Sequence, residues 1–249
     1  MNYIEHVHEP RRLLLVWQRS EEDGAARVRR AVAELLRDSA ERVQFRYLTD
    51  TPDFEAAKSE GFINFVAFRK LHAMYDLGVV ETFMRRLPPR SRGDYAQYLE
   101  QFRLRPETLI SDFALLGYTG AKLPSDGFSI LDPLEDVGEC CDVLLEVAGF
   151  RHVSPVGPQL LYVGEPVSLV IQPDNLHDPM AVAVEIHDQR IGYVPRQQAP
   201  AIRDLVATGE VEACIQRING KPERPLIHLM ARIRRRATRP HTPPWALGE

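Results

Sequence analysis

The segment from Leu169 to Arg196, LVIQPDNLHDPMAVAVEIHDQRIGYVPR, concentrates the side chains that could do chemistry in this 249-residue chain. At its centre is a polar turn, Pro173, Asp174, Asn175, Leu176, His177, Asp178 and Pro179, set between runs of β-branched residues. Carboxylates, an amide and an imidazole on one short loop can accept a hydroxyl proton, close Asx-type turns or approach a cation. A second His-Asp pair, His187-Asp188, falls on the next turn. Such residues between strands ordinarily serve the turns themselves, so no metal site and no cofactor is expected. The flanking alternation reads as strand, polar turn, strand, hairpin, strand, then helix, the pattern of a small barrel presenting a polar loop.

Catalytic signatures are missing. The chain has no G-x-x-x-x-G-K-S/T phosphate loop, no G-x-G-x-x-G, no G-x-S-x-G elbow and no H-E-x-x-H pair. Cys140 and Cys141 are adjacent and lack the C-x-x-C spacing that brings two thiolates to one zinc. An enzyme is not expected.

Composition bounds the rest. With 44% hydrophobic and 27% charged residues the chain is that of a soluble globular protein. No apolar run approaches the roughly 20 residues of a membrane span, and MNYIEHVHEPRR has no apolar signal core. Three cysteines, two of them adjacent, fit a reduced, cytoplasmic setting. The net charge of −4 is uneven. Up to Ala148 there are 19 basic against 25 acidic residues; from Gly149 there are 12 against 10. Five of the latter arginines (Arg232, Arg234, Arg235, Arg236, Arg239) cluster near the end, where they would favour phosphate.

The elements that must position the polar turn fall into two halves. Residues 1–136 read as a mixed α/β domain. Strands are expected at Arg12 to Trp17 and Val43 to Leu48, with a helix between them from about Gly24 to Asp38, its face made by Val28, Val32, Leu35 and Leu36. Further helices follow Thr49–Pro52, cover Val79 to Leu87, start from a Ser91 cap and start near Pro106 with Leu109, Phe113, Leu115 and Leu116. A strand returns at Gly127 to Leu131. The aromatics of this half read as core. Arg85, Arg86, Arg90 and Arg92 could grip phosphate, but a solvated helix end is the simpler reading. The acidic Leu131 to Gly138 reads as a joint. Residues 137–235 then offer six short strands and a helix at Ala199 to Ala207, suiting a closed six-stranded β-barrel of OB or SH3 type. Residues 236–249 read as a loose tail. The fold class is α+β.

From about Leu144 to Ile233 the chain resembles the HIRAN domain. The matching motifs, in order, are Gly149-Phe150-Arg151, Gly164 ahead of a strand ending at Ile171, Pro173-Asp174-Asn175, His177-Asp178-Pro179, Ala181-Val182-x-Val184, and Ile191-Gly192-Tyr193-Val194-Pro195-Arg196. The resemblance implies a DNA-binding module for single strands with a free 3′ end. A terminal nucleotide is distinguished by its 3′-hydroxyl and the lack of a following phosphate. A carboxylate accepting that hydroxyl can select it, and Asp178 holds the position the resemblance assigns to this role. His152 and His177 fall where relatives place aromatic rings that stack on bases. Arg151 and Arg196 would meet phosphates, Arg196 at a helix start. Asp174, Asn175 and Asp178 could instead only close an Asx-type turn, and Tyr193 could touch ligand or serve packing; Gly192 and Ala181 read as packing residues. Histidine at both stacking positions, and Ile171-Gln172 where Arg-Glu is common, depart from the pattern. They imply weaker binding, strengthened in mild acid as imidazole gains charge.

In the first half, VQFRYL, FMRRLPPRSR and DFALLGYTGAKLPSDGFSI are similar to the N-terminal subdomain of HipA-type toxin kinases. The kinase lobe is missing, so no catalytic residue carries over and a protein-contact role is implied. The expected partners are thus single-stranded DNA or DNA ends and a protein bound by the acidic half. The alternative is a protein-interaction module, or a HipA-related toxin–antitoxin-type regulator, without DNA-end binding.

Overall fold

The protein is described from a computed structural model covering residues 3–19, 28–123, 126–221 and 224–235. Its tail beyond Arg235, with Arg236 and Arg239, and the first part of the expected Gly24–Asp38 helix lie outside the described residues. Among the described residues no helix is long and apolar enough to cross a membrane.

The N-terminal half is built on a four-stranded antiparallel sheet in the order β3-β2-β1-β4. Its strands are β1 (Arg12–Trp17), β2 (Arg30–Arg37), β3 (Val43–Tyr47) and β4 (Phe128–Leu131). The expected helix is therefore a strand over its described part. Val32, Leu35 and Leu36 have helical spacing, but β2 lies between β1 and β3, and Ala31 to Leu35 are buried without a break. An interior strand covered on both faces cannot show the period of two that would mark it. Glu34 sits in that run, clamped by Arg12 Nε at 2.6 Å and Arg46 Nε at 2.5 Å.

Four helices cover this sheet: α1 (Pro52–Ser59), α2 (Val79–Met84), α3 (Tyr95–Glu100) and α4 (Asp112–Thr119). Thr51 caps α1, as its position before Pro52 requires. Two starts differ from expectation. Asp94, not Ser91, precedes α3, and Ser111, not the Pro106 region, caps α4 through Oγ accepting from the Ala114 N–H at 3.0 Å. Pro106 and the exposed Leu109 lie in the turn before α4. Gly120, with φ of 70°, ends α4. The aromatics do form the core: Phe45, Phe54, Phe62, Phe65, Phe68 and Phe83 pack into one cluster.

The C-terminal half is a six-stranded antiparallel sheet in the order β5-β10-β9-β6-β7-β8. It comprises β5 (Cys140–Glu146), β6 (Pro166–Ile171), β7 (Val182–Ile186), β8 (Gln189–Tyr193), β9 (Gly209–Lys221) and β10 (Arg224–Arg235), all six of the expected strands. A four-residue α5 (Phe150–Val153), one 3-10 turn at Pro158–Leu160 and α6 (Ala199–Thr208) complete it. The closed barrel does not form. The outer strands β5 and β8 share no ladder; the chain just after β5 meets β8 at one bridge, Ala148 with Tyr193.

The long β5–β10–β9 ribbon has two buried faces. Val143, Leu145, Ile227 and Leu229 point into the core capped by Ile202 and Leu205 of α6. Leu144 and Met230 point the other way and join the N-terminal core. The joint between the halves is packed: Leu134 and Val137 are buried, and the Gln198 amide donates to the Asp132 carbonyl at 2.9 Å.

Candidate functional site

The polar turn after β6 is held by its own side chains. Asn175 Oδ1 accepts from the N–H groups of His177 (3.0 Å) and Asp178 (3.1 Å), and the Asn175 N–H donates to the Gln172 carbonyl at 3.2 Å. Asp178 Oδ1 accepts from the Met180 N–H at 2.9 Å. Both residues thus make Asx-type turns. The Asp178 carboxylate keeps acceptor sites beyond that one bond, and the residue is half-buried beside the exposed His177.

Asn175 also ties the turn to β8. Its Nδ2 donates to Gln172 Oε1 at 3.2 Å and reaches the Tyr193 hydroxyl at 3.4 Å. Tyr193 is fixed on its other side by the two-way bridge to Ala148, with N–O distances of 2.8 and 2.9 Å. That close approach is why position 192 is glycine: a Cβ there would lie 2.3 Å from Val147 Cγ1 and 2.6 Å from the Ala148 carbonyl oxygen. Immediately after Ala148, Gly149 takes a φ of 75° and starts α5, which packs on β8. Arg151 and His152 stand exposed on α5, with Arg151 Nη2 3.3 Å from His152 Nε2.

One cationic group of this surface was not foreseen. Arg190 lies with its guanidinium carbon 5.3 Å from the Tyr193 ring centre. In a regular strand, residues three apart point to opposite faces. Here Ile191 is an extra residue in β8, since Glu185 pairs with Arg190 while Val184 pairs with Gly192. The bulge turns Arg190 onto the face of Tyr193. Sequence carried no signal for it, because a bulge depends on the partner strand.

The structure therefore gathers Asn175, Tyr193, Arg190, Asp178, and the base of the helix bearing Arg151 and His152. Arg196 stands apart. It lies on the loop before α6 rather than at the helix start, 69% exposed and 3.8 Å from Asp53 of the N-terminal half. His187 and Asp188, with φ of 48° and 63°, form the β7–β8 hairpin turn in the paired positive-φ geometry such turns need. Among the described residues no group of three His, Cys, Asp or Glu could hold a metal ion.

The other basic runs are engaged elsewhere. Arg232 donates twice to the buried Asp142, which also accepts from the N–H groups of Glu5 and His6. Arg86 forms a fork on Asp126, while Arg90 pairs with Asp112 and Arg92 with Asp94. The expectation that the arginines of the last strand serve phosphate binding fails for Arg232, and Arg235 lies 3.9 Å from Asp204.

Residues 142–234 match the HIRAN domain family. No curated protein matches the chain. Among solved structures, the HIRAN domain of human HLTF is 19% identical, covering 39% of this chain and 77% of its own length with a TM-score of 0.32. A protein from Lactobacillus plantarum is also 19% identical, covering 38% of this chain and 98% of its own, with a TM-score of 0.30. The similarity of the N-terminal half to HipA-type kinases finds no support in these comparisons. The family match spans less than half of the chain, and it is the stretch from Asp142 to Arg234 that is a HIRAN domain.

Proposed function

We propose that the HIRAN domain of this protein binds single-stranded DNA at a free 3′ end, as a binding module without catalysis. The observation that carries the reading is the Tyr193 junction. One ring meets the cation of Arg190, the amide of the polar turn and the bridge that seats α5. A flat group beside exposed cations suits a stacked base with its phosphates, for roughly 1–3 kcal/mol per stacked base. Asp178, partly exposed beyond its one turn bond, supplies an acceptor for a terminal hydroxyl. Arg151, Arg190 and the two histidines would carry phosphate and base contacts, with Arg196 at the margin.

A short labelled strand ending in a 3′-hydroxyl is expected to bind about tenfold more tightly than the same strand ending in a 3′-phosphate, as one lost hydrogen bond to a charged group implies. Equal affinity removes end recognition; no binding of either removes nucleic-acid binding.

Protein contact is the second reading. It is favoured by the mixed charge of the site, where the turns bring Asp174, Asp178 and Asp188 to the same domain surface as Arg151 and Arg190, and by exposed Ile63, Val66, Met74 and Leu77 between α1 and α2. The latter suit the acidic half for a protein partner. Affinity that falls steeply with salt favours DNA, whereas an apolar protein contact would be nearly indifferent to it.

A further inference from the structure

A cavity of about 320 Å³ lies between the outer face of the β5–β10–β9 ribbon and the N-terminal half, away from the polar turn. Strand register sets Glu146, His228 and Arg217 in one cross-strand row along its wall. Arg29, ahead of β2, and Lys122, beyond α4, close on Glu146 from the N-terminal half; Lys122 Nζ is 2.6 Å from the carboxylate and Arg29 also pairs with it. Arg217 makes no ion pair among the described residues. Its guanidinium lies over Phe102 at 5.4 Å and donates to the Gln101 carbonyl at 3.2 Å.

Three cations thus face one committed anion. Burial alone would raise the Glu146 carboxyl, but Arg29 and Lys122 outweigh it and hold it at about 2. Burial lowers His228 to about 4, leaving it neutral near pH 7. The remaining acid on the wall, Asp132, is pushed up to about 7 by burial, so it offsets the excess only in part. A like-signed excess in a half-open recess is relieved when an anion joins it.

Gln216, on the same wall and 5% exposed, gives an independent sign of a ligand. Its Nε2 donates to the Gln101 carbonyl at 3.2 Å, while its buried Oε1 has no partner among the described residues. That acceptor lacks a donor such as a hydroxyl.

We propose that this cavity binds a small phosphate monoester carrying a free hydroxyl, with Arg217, Lys122 and Arg29 facing the phosphate and Gln216 Oε1 taking the hydroxyl. A phosphate monoester bears about −1.5 to −2 charges near neutrality, matching the excess, and the volume lies within the range of small-molecule sites. A sugar phosphate and a nucleotide share this chemistry, so both serve as probes.

Isothermal titration of the full chain at low salt tests the assignment. Ribose 5-phosphate and a nucleoside 5′-monophosphate are expected to bind; if only the nucleotide binds, the base is part of the recognised ligand. Inorganic phosphate should bind about tenfold more weakly and the unphosphorylated nucleoside not at all, one missing hydrogen bond being worth about a factor of ten. Arg217→Met should weaken the phosphorylated probes at least about tenfold, with Arg217→Lys recovering part of the loss, while Gln216→Leu should remove the preference for the hydroxyl-bearing probes over inorganic phosphate. Lys122→Met, at a half-exposed position, repeats the test should Arg217→Met fail to fold. Absence of binding at millimolar probe, or unchanged binding in folded Arg217→Met or Lys122→Met, overturns the proposal.

Discussion

Arg12 on β1, Arg86 just after α2 and Arg232 on β10 each hold a carboxylate, whereas Arg151 and Arg190 around the Tyr193 junction face a histidine and an aromatic ring. The first group is drawn into the structure because Glu34 and Asp142 are buried and cannot remain charged alone. The second group has no carboxylate within ion-pair reach among the described residues. A count of arginines along the chain cannot separate the two sets, since what distinguishes them is the acid each one meets across the fold.

The comparison is broken most severely at Asp142. Burial pushes its carboxyl up, but the Arg232 fork and the N–H groups of Glu5 and His6 outweigh that and hold it below the usual range. Asp142→Ala leaves the Arg232 guanidinium only the exposed Glu5 carboxylate, 3.0 Å away, and strands the N–H groups of Glu5 and His6, and should cost about 3 kcal/mol in urea unfolding. A loss under 1 kcal/mol would mean that Arg232 is not engaged as described.

Arg151→Ala combined with Arg190→Ala should leave stability within about 0.5 kcal/mol while weakening single-strand binding about tenfold or more. The salt slope should flatten by about 0.7 for each phosphate that is no longer neutralised, as anisotropy titrations at several salt concentrations would show. An unchanged slope would move these arginines into the structural set.

Asp132 sharpens the contrast between exposed and buried charge. With its folded value raised to about 7 from 3.8, its proton stabilises the fold fully below about pH 4, and that contribution is lost as pH rises through 7. Asp132→Asn cannot ionise and can still accept the Leu134 N–H. The variant should gain on the parent between about pH 4 and 7 and stay level above. At pH 8 the gain should approach about 4 kcal/mol, the linkage worth of a shift of about three units, seen as a clearly higher melting temperature. A flat difference across that range would show that Asp132 is ionised throughout.

The smallest effect belongs to Arg90→Ala with Arg92→Ala, whose pairs with Asp112 and Asp94 are exposed. Stability should change by less than about 0.5 kcal/mol, with strand affinity untouched. A drop in affinity would return this run to the candidate phosphate grips.

Much of the frame was legible. Six strands of the C-terminal half show in the sequence because each alternates or ends at a turn, and Thr51-Pro52 marks a helix start by local chemistry, whereas the end of α4 could fall at Gly117 or Gly120 and only the structure fixes it at Gly120. β2 was not legible, because an interior strand buried on both faces has the same run of apolar residues as a buried helix. Of the candidate site, Asn175 and Asp178 could be read as turn-formers from their types alone. Arg190 could not, since the bulge that aims it arises from pairing with β7.

By itself the sequence determined the polar turn, the strands flanking it, the HIRAN pattern and the absence of familiar catalytic motifs, since these depend on residues near one another in the chain. Tertiary structure decided which arginines are occupied, that the C-terminal sheet stays open but for the Ala148–Tyr193 bridge, and that a cationic cavity lies between the halves. Those outcomes turn on burial and on partners many residues away, such as Asp142 with Arg232 or Glu146 with Arg29. Desolvation and pairing act through space, and spacing along the chain does not encode them.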